Sequence, residues 1–113
     1  MYRHVVMLKW AKETTPEQHS QAAAGMRALE AKISVVRRYE LGENVGADPS
    51  NFDVVALIDF ERAEDYLVYR DHPEHRQLIA EITGAITAER VAVQYEFGQA
   101  SFVAFEPVRS AAR

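Results

Sequence analysis

The chain has no cysteine. Disulfides, thiolate metal sites and cysteine nucleophiles are thereby excluded. The absence fits a reducing compartment, and a cytoplasmic location is expected. There is also no run of ~20 apolar residues, so no membrane partner is expected. The stretch from Met1 to Trp10 is too short and too interrupted to read as a secretory signal. Positive charge is in deficit: 13 Lys and Arg stand against 17 Asp and Glu, for a formal net charge of -4. Arg37-Arg38 is the only adjacent basic pair. Nucleic-acid binding needs clustered Lys and Arg, so no nucleic-acid partner is expected. No internal repeat is visible, and Ala22-Ala23-Ala24 is the only low-complexity tract.

What remains is an ordinary globular composition, 48% hydrophobic and 27% charged over 113 residues. That length suits one domain, which buries roughly 65% of the surface its unfolded chain exposes. Residues 2–10 alternate as a strand, with Tyr2, His4, Val6, Leu8 and Trp10 on one face. Thr15-Pro16-Glu17-Gln18 has the form of a capping box with proline at the first helical position. Ala22, Met26, Leu29 and Ile33 follow at helical spacing, which predicts a helix over 16–32. Residues 35–45 read as a second strand, with Tyr39 and Leu41 alternating against Arg38 and Glu40. A turn cluster, Gly46 to Asn51, precedes the strongest strand, Phe52 to Phe60. A helix over 61–70, a corner, a helix from Pro73 to about Ile86 and a last strand over 88–97 complete the order.

That order is βαββαβ, an α+β class with a ferredoxin-like sandwich. Residues 2–97 are read as the domain and residues 98–113 as a C-terminal extension. Phe102 to Phe105 is expected to form a short extra strand or a strap, and Ser110 to Arg113 to fray. Helices on one face leave the other face of the sheet bare. Val5, Met7, Val55, Leu57 and Ala92 are placed on that bare side, opposite His4, Val54 and Val93. An apolar face of this size predicts a homodimer, sheet packed on sheet about a two-fold axis.

The chemistry-bearing stretch is Tyr69-Arg70-Asp71-His72-Pro73-Glu74-His75. Histidine is the side chain that changes charge nearest neutral pH, and proline commonly opens a helix. His75 shares a predicted helix face with Leu78, Ile79 and Ile82. If the two helices bend at His72-Pro73, Tyr69 and His75 can reach one cavity between helices and sheet. A histidine suits a base and a phenol suits a donor to a developing oxyanion. The alternative is that His75 donates to a backbone carbonyl and Tyr69 only packs. His4 would sit at the floor of such a cavity or be paired in the core. His72 is expected to cap the helix that follows. A metal site from His72, Glu74 and His75 is disfavoured because adjacent helical residues point about a hundred degrees apart, so no metal is expected. His19 is expected at the solvent or at a dimer edge.

His4-Val5-Val6-Met7-Leu8-Lys9-Trp10, Phe60-Glu61, and Tyr69 with His72-Pro73-Glu74-His75 together resemble the stress-responsive dimeric α/β-barrel (Dabb) family, in one continuous order over about residues 2 to 97. The resemblance implies a ferredoxin-like fold dimerised into a barrel. A plant polyketide cyclase of that family, which makes olivetolic acid, is similar in having a tyrosine and a histidine at the places of Tyr69 and His75. There they carry a cofactor-free aldol-type ring closure, and a strand histidine at the place of His4 lines the same pocket. A further histidine of that enzyme falls where this chain has Val54.

The resemblance thus implies Tyr69 and His75 as catalytic residues, and His4, Val54 and His72 as ligand-binding residues, with no cofactor. Three functions follow. The first is binding of a small apolar or aromatic carbonyl compound, with cyclase- or lyase-type proton transfer left open. The second is a non-catalytic stress-response or assembly protein with a filled core. The third is a cofactor-free monooxygenase of the same fold.

Overall fold

The structure, a computed structural model, describes residues 1–98. It runs β1 (Tyr2–Trp10), α1 (Pro16–Lys32), β2 (Arg38–Glu43), β3 (Val54–Phe60), α2 (Ala63–Asp71), α3 (Pro73–Leu78) and β4 (Thr87–Glu96). Between α3 and β4 the helix widens into a π turn, Ile79–Thr83, and closes with one α turn, Gly84–Ile86. The strands form one antiparallel sheet in the order β2-β3-β1-β4. This is the βαββαβ ferredoxin-like sandwich of the α+β class. The predicted segment Phe102 to Phe105 and the tail Ser110 to Arg113 lie outside the described residues. Among the described residues, no helix is long and apolar enough to cross a membrane.

Local chemistry accounts for the elements. The Gln18 N–H donates to Thr15 Oγ1 at 3.1 Å, and the Thr15 N–H donates to Gln18 Oε1 at 2.8 Å. Two otherwise orphaned donors are satisfied reciprocally, so α1 starts where the capping box predicts. Ala22, Met26 and Leu29 are buried on the face α1 turns to the sheet, and Ile33 follows at its end. They meet Val6, Leu8, Val54, Ala56, Ile58 and Phe60 from the facing strands. Burying a side chain such as Ile58 or Phe60 in full contributes about 1.5–3 kcal/mol each.

The bare face differs in one strand from the pattern reading. Val93 pairs across from Val5 and Val91 from Met7, whereas Ala92 pairs with Val6. Directly paired residues share a face. Val91 and Val93 therefore stand on the open side, and Ala92 on the helix side. Val91-Ala92-Val93 is apolar throughout, so alternation could not assign its faces. The correction enlarges the open apolar surface: Met7, Val91, Val93 and Tyr95 are 39%, 43%, 56% and 44% exposed. At one end of this face Arg3 grips the buried Asp59 with two bonds, Nε to Oδ1 at 2.7 Å and Nη2 to Oδ2 at 2.9 Å. Arg3 and Asp59 are also cross-strand partners, so the fork helps fix the β1–β3 register.

β2 is shorter than predicted, and Tyr39 and Leu41 pair with Ile58 and Ala56 on the helix side. His19 is half-buried. Its ring stacks on Trp10 with centroids 5.3 Å apart, and its Nε2 lies 2.7 Å from Thr14 Oγ1. It thus ties the start of α1 to the end of β1.

Candidate functional site

Alternation along β1 turns His4 inward, to the side covered by helices, where it is 3% exposed. The Gln94 amide donates to His4 Nδ1 at 2.7 Å, which leaves the ring proton on Nε2. The His4 ring lies against Tyr66 with centroids 4.8 Å apart. Burial is the first cause that pushes its pKa down, to about 4, and the charge of Arg90 and the neighbouring His75 add to it.

The corner after α2 sets the second group. His72 is extended, and its Nδ1 accepts from the Glu74 N–H at 3.1 Å. It caps α3, whose first residue is Pro73, as expected of a histidine in that position. His75, one turn on, places Nδ1 2.9 Å from the Arg70 carbonyl. A carbonyl only accepts, so Nδ1 carries the proton and Nε2 keeps its lone pair. The backbone bond weighed as the structural alternative is therefore present, yet it uses only one ring nitrogen. The His75 ring lies 4.3 Å from that of Tyr69, centroid to centroid. Burial holds its pKa below the usual histidine value against the opposing Arg70 carbonyl bond, and Arg90 reinforces the shift. In both rings burial favours the uncharged form.

Tyr69 is buried, its ring packed on Phe60 at 5.5 Å. Burial first, and the adjacent Tyr39 hydroxyl second, raise its pKa. Tyr39 is raised too, again chiefly by burial. Both phenols keep their protons and can donate.

These groups line one cavity of about 180 Å³ between sheet and helices. His4, Val6, Leu8 and Tyr39 form the sheet wall, and Met26 and Leu29 of α1 form another. Tyr69, His75 and Leu78 approach from α2 and α3. Ile79 and Thr83 come from the π turn, Gly84 from the α turn that closes it, and Thr87 and Arg90 from β4. No aspartate or glutamate is part of this lining. The Gly84 N–H bonds the carbonyl of Ile79, five residues back, which is the π spacing. A Cβ on Gly84 would stand 2.5 Å from that carbonyl oxygen, so this turn needs glycine.

Of the residues singled out in the sequence, His4, Tyr69 and His75 are brought together. Val54 and His72 are not. Val54 pairs with Leu8 and borders a separate depression near Met7, Gly42 and Phe52. His72 is taken up by its cap. Its neighbour Glu74 pairs with Lys32 at 3.4 Å. Among the described residues, no cluster of three His, Asp or Glu side chains could hold a metal ion.

Sequence reasoning missed Tyr39, Arg90 and the π turn. Tyr39 carried a signal, since it alternates on the same side of β2 as Leu41. Arg90 did not, because a lone arginine in a strand reads as a solvated position.

The model of the stress responsive A/B barrel domain family matches residues 2–97. No curated protein matches the chain. Among solved structures, a dimeric ferredoxin-like protein of unknown function from Thermobifida fusca is similar, at 31% identity and a TM-score of 0.76, over 85% of this chain and 90% of that one. A dimeric protein of ferredoxin-like fold from Bacteroides fragilis follows at 29% identity and 0.71, over 85% and 95%. A hydroxynitrile lyase from Passiflora edulis is similar in fold alone, at 19% identity and 0.75, over 87% and 94%.

Proposed function

The chain belongs to the stress responsive A/B barrel domain family, and we propose that its cavity binds a small apolar or aromatic carbonyl compound. One observation carries the reading: His4, Tyr69 and His75 line a single void, with His75 Nε2 uncommitted. An engineered apolar cavity of roughly 150 Å³ holds benzene, so about 180 Å³ takes one substituted ring. A non-catalytic assembly protein would be expected to fill this space, and the void counts against that reading.

The chemistry proposed is proton transfer next to a carbonyl. His75 Nε2 takes a proton from the carbon beside the carbonyl, and Tyr69 donates to the oxygen that gains charge. The resulting carbanion adds to a second carbonyl of the same molecule, and the imidazolium returns its proton to the new alkoxide. No electrons leave the system, so no cofactor is needed. That a hydroxynitrile lyase shares the fold is compatible with proton-transfer chemistry on it. The open apolar face, together with the dimeric state of the Thermobifida fusca and Bacteroides fragilis proteins, supports a homodimer as the working form.

Deuterium exchange tests the site directly. In heavy water the protein should speed exchange of the methyl-ketone protons of 4-hydroxyacetophenone, read by NMR. His75→Asn keeps a donor for the Arg70 carbonyl and lacks Nε2. It should stay folded and lose the exchange. Equal exchange by this variant, or none by the wild type, would refute the proton-transfer role.

A further inference from the structure

Gln94 stands directly across from His4 on the neighbouring strand, so the two side chains share the face that the helices cover. β4 is exposed along most of its length, yet Gln94 is half-buried. Its amide reaches the His4 ring, with Nε2 of the glutamine 2.7 Å from Nδ1 of the histidine. An amide N–H only donates, so Nδ1 accepts and the imidazole proton sits on Nε2. This is the one side-chain hydrogen bond that His4 makes among the described residues. Buried polar atoms are nearly always paired, and His4 is almost wholly buried on the cavity wall. The unspent donor of its ring is therefore available to whatever fills the void.

His75 is set the opposite way. Its Nδ1 donates to the Arg70 carbonyl, and its Nε2 keeps a lone pair. The two cavity histidines thus hold opposite tautomers, each fixed by the partner of its Nδ1. A carbonyl that can only accept fixes one, and an amide that donates fixes the other. One ring offers the void an acceptor and the other offers a donor. With an apolar side chain at position 94, nothing would hold the His4 proton on one nitrogen.

We infer that Gln94 is a positioning residue that holds His4 as a hydrogen-bond donor to the cavity, so that His75 alone serves as base and His4 joins Tyr69 in donating to the oxygen that gains charge. This rests on the proton-transfer reading of the site. Preorganised donors aimed at such an oxygen are what stabilise it. A His4 with its proton on Nδ1 would instead set a second lone pair against it.

The test reads the tautomer and the chemistry separately, in the wild type, Gln94→Glu and Gln94→Met, at mildly alkaline pH where the rings are neutral. Ring-nitrogen NMR of histidine-labelled protein gives the His4 tautomer, and methyl-ketone exchange of 4-hydroxyacetophenone in heavy water gives the chemistry. The wild type should show His4 protonated on Nε2. A carboxylate at position 94 only accepts, so Gln94→Glu should move the proton to Nδ1 and slow exchange about a hundredfold, the cost of one such donor. Gln94→Met keeps the side-chain length without the amide. It should show a mixture of the two tautomers and an intermediate rate, and it carries the test if the glutamate variant fails to fold. A wild-type His4 protonated on Nδ1, a Met variant that keeps the wild-type tautomer and rate, or an inverted tautomer with unchanged exchange overturns the assignment. Absence of exchange by the wild type removes the proton-transfer reading and the donor role with it, while the tautomers still decide whether Gln94 sets the ring.

Discussion

Acid should destabilise this protein through His4, by an amount the structure allows to be worked out. His4 is 3% exposed, and its pKa is lowered from 6.5 to about 4. In the unfolded chain the ring recovers its ordinary value. Between these limits the unfolded state binds more protons than the folded one, so stability rises with pH. The contribution is whole above the unfolded value and is lost as pH falls toward the folded one. One unit of pKa difference corresponds to about 1.4 kcal/mol, which puts the ceiling near 3 kcal/mol. The ring borders a void large enough for water, which eases the burial cost, and about 2 kcal/mol is the expected loss.

The assay is urea unfolding at neutral pH and near pH 4, at fixed protein concentration, of wild type and His4→Gln. His75 is shifted in the same direction and acidic groups titrate too, but both are present in each protein. The difference between the two losses therefore isolates His4. The wild type should lose about 2 kcal/mol more than the variant over this range. Parallel losses, or a His4 ring proton that titrates at its ordinary value, would refute the reasoning.

The π turn and the open face give two further expectations. Gly84→Ala sets a methyl 2.5 Å from the Ile79 carbonyl oxygen. In an ordinary helix the same change stabilises by up to about 1 kcal/mol. Here it should cost about 1–3 kcal/mol and weaken ligand binding as the turn reshapes the wall, and a gain in melting temperature would contradict this. Val93→Asp places a charge in the middle of the open apolar face, beside Val5. It should turn a dimer into a monomer in sedimentation while leaving the circular dichroism spectrum unchanged. A variant that still sediments as a dimer would show that the sheets do not meet there.

Much of the frame was legible because local signals agreed with one another. Thr15-Pro16-Glu17-Gln18 announces a helix start in both side-chain chemistry and backbone geometry. Tyr2 to Trp10 alternates cleanly enough to turn His4 inward. β4 was less legible because Val91-Ala92-Val93 offers no contrast between faces, and its register comes from pairing along β1, with an irregularity between Lys9 and Trp10. His75 was found, but its freedom was not. Only the position of the Arg70 carbonyl shows which ring nitrogen is spent and which remains.

The π turn was hidden for a related reason. Leu78, Ile79 and Ile82 fit an α-helical face equally well, and Gly84 alone reads as an ordinary helix end. The extra residue in the turn lets Ile79, Thr83 and Gly84 all border the void. An unbroken α-helix would have kept the predicted stripe of Leu78, Ile79 and Ile82 against the core. The same departure from regular helix that escapes a periodicity argument is what shapes one wall of the cavity. The site is therefore least visible at Gly84, which the turn requires, and at Arg90, which reads as a solvated strand position until the fold sets it on the cavity rim.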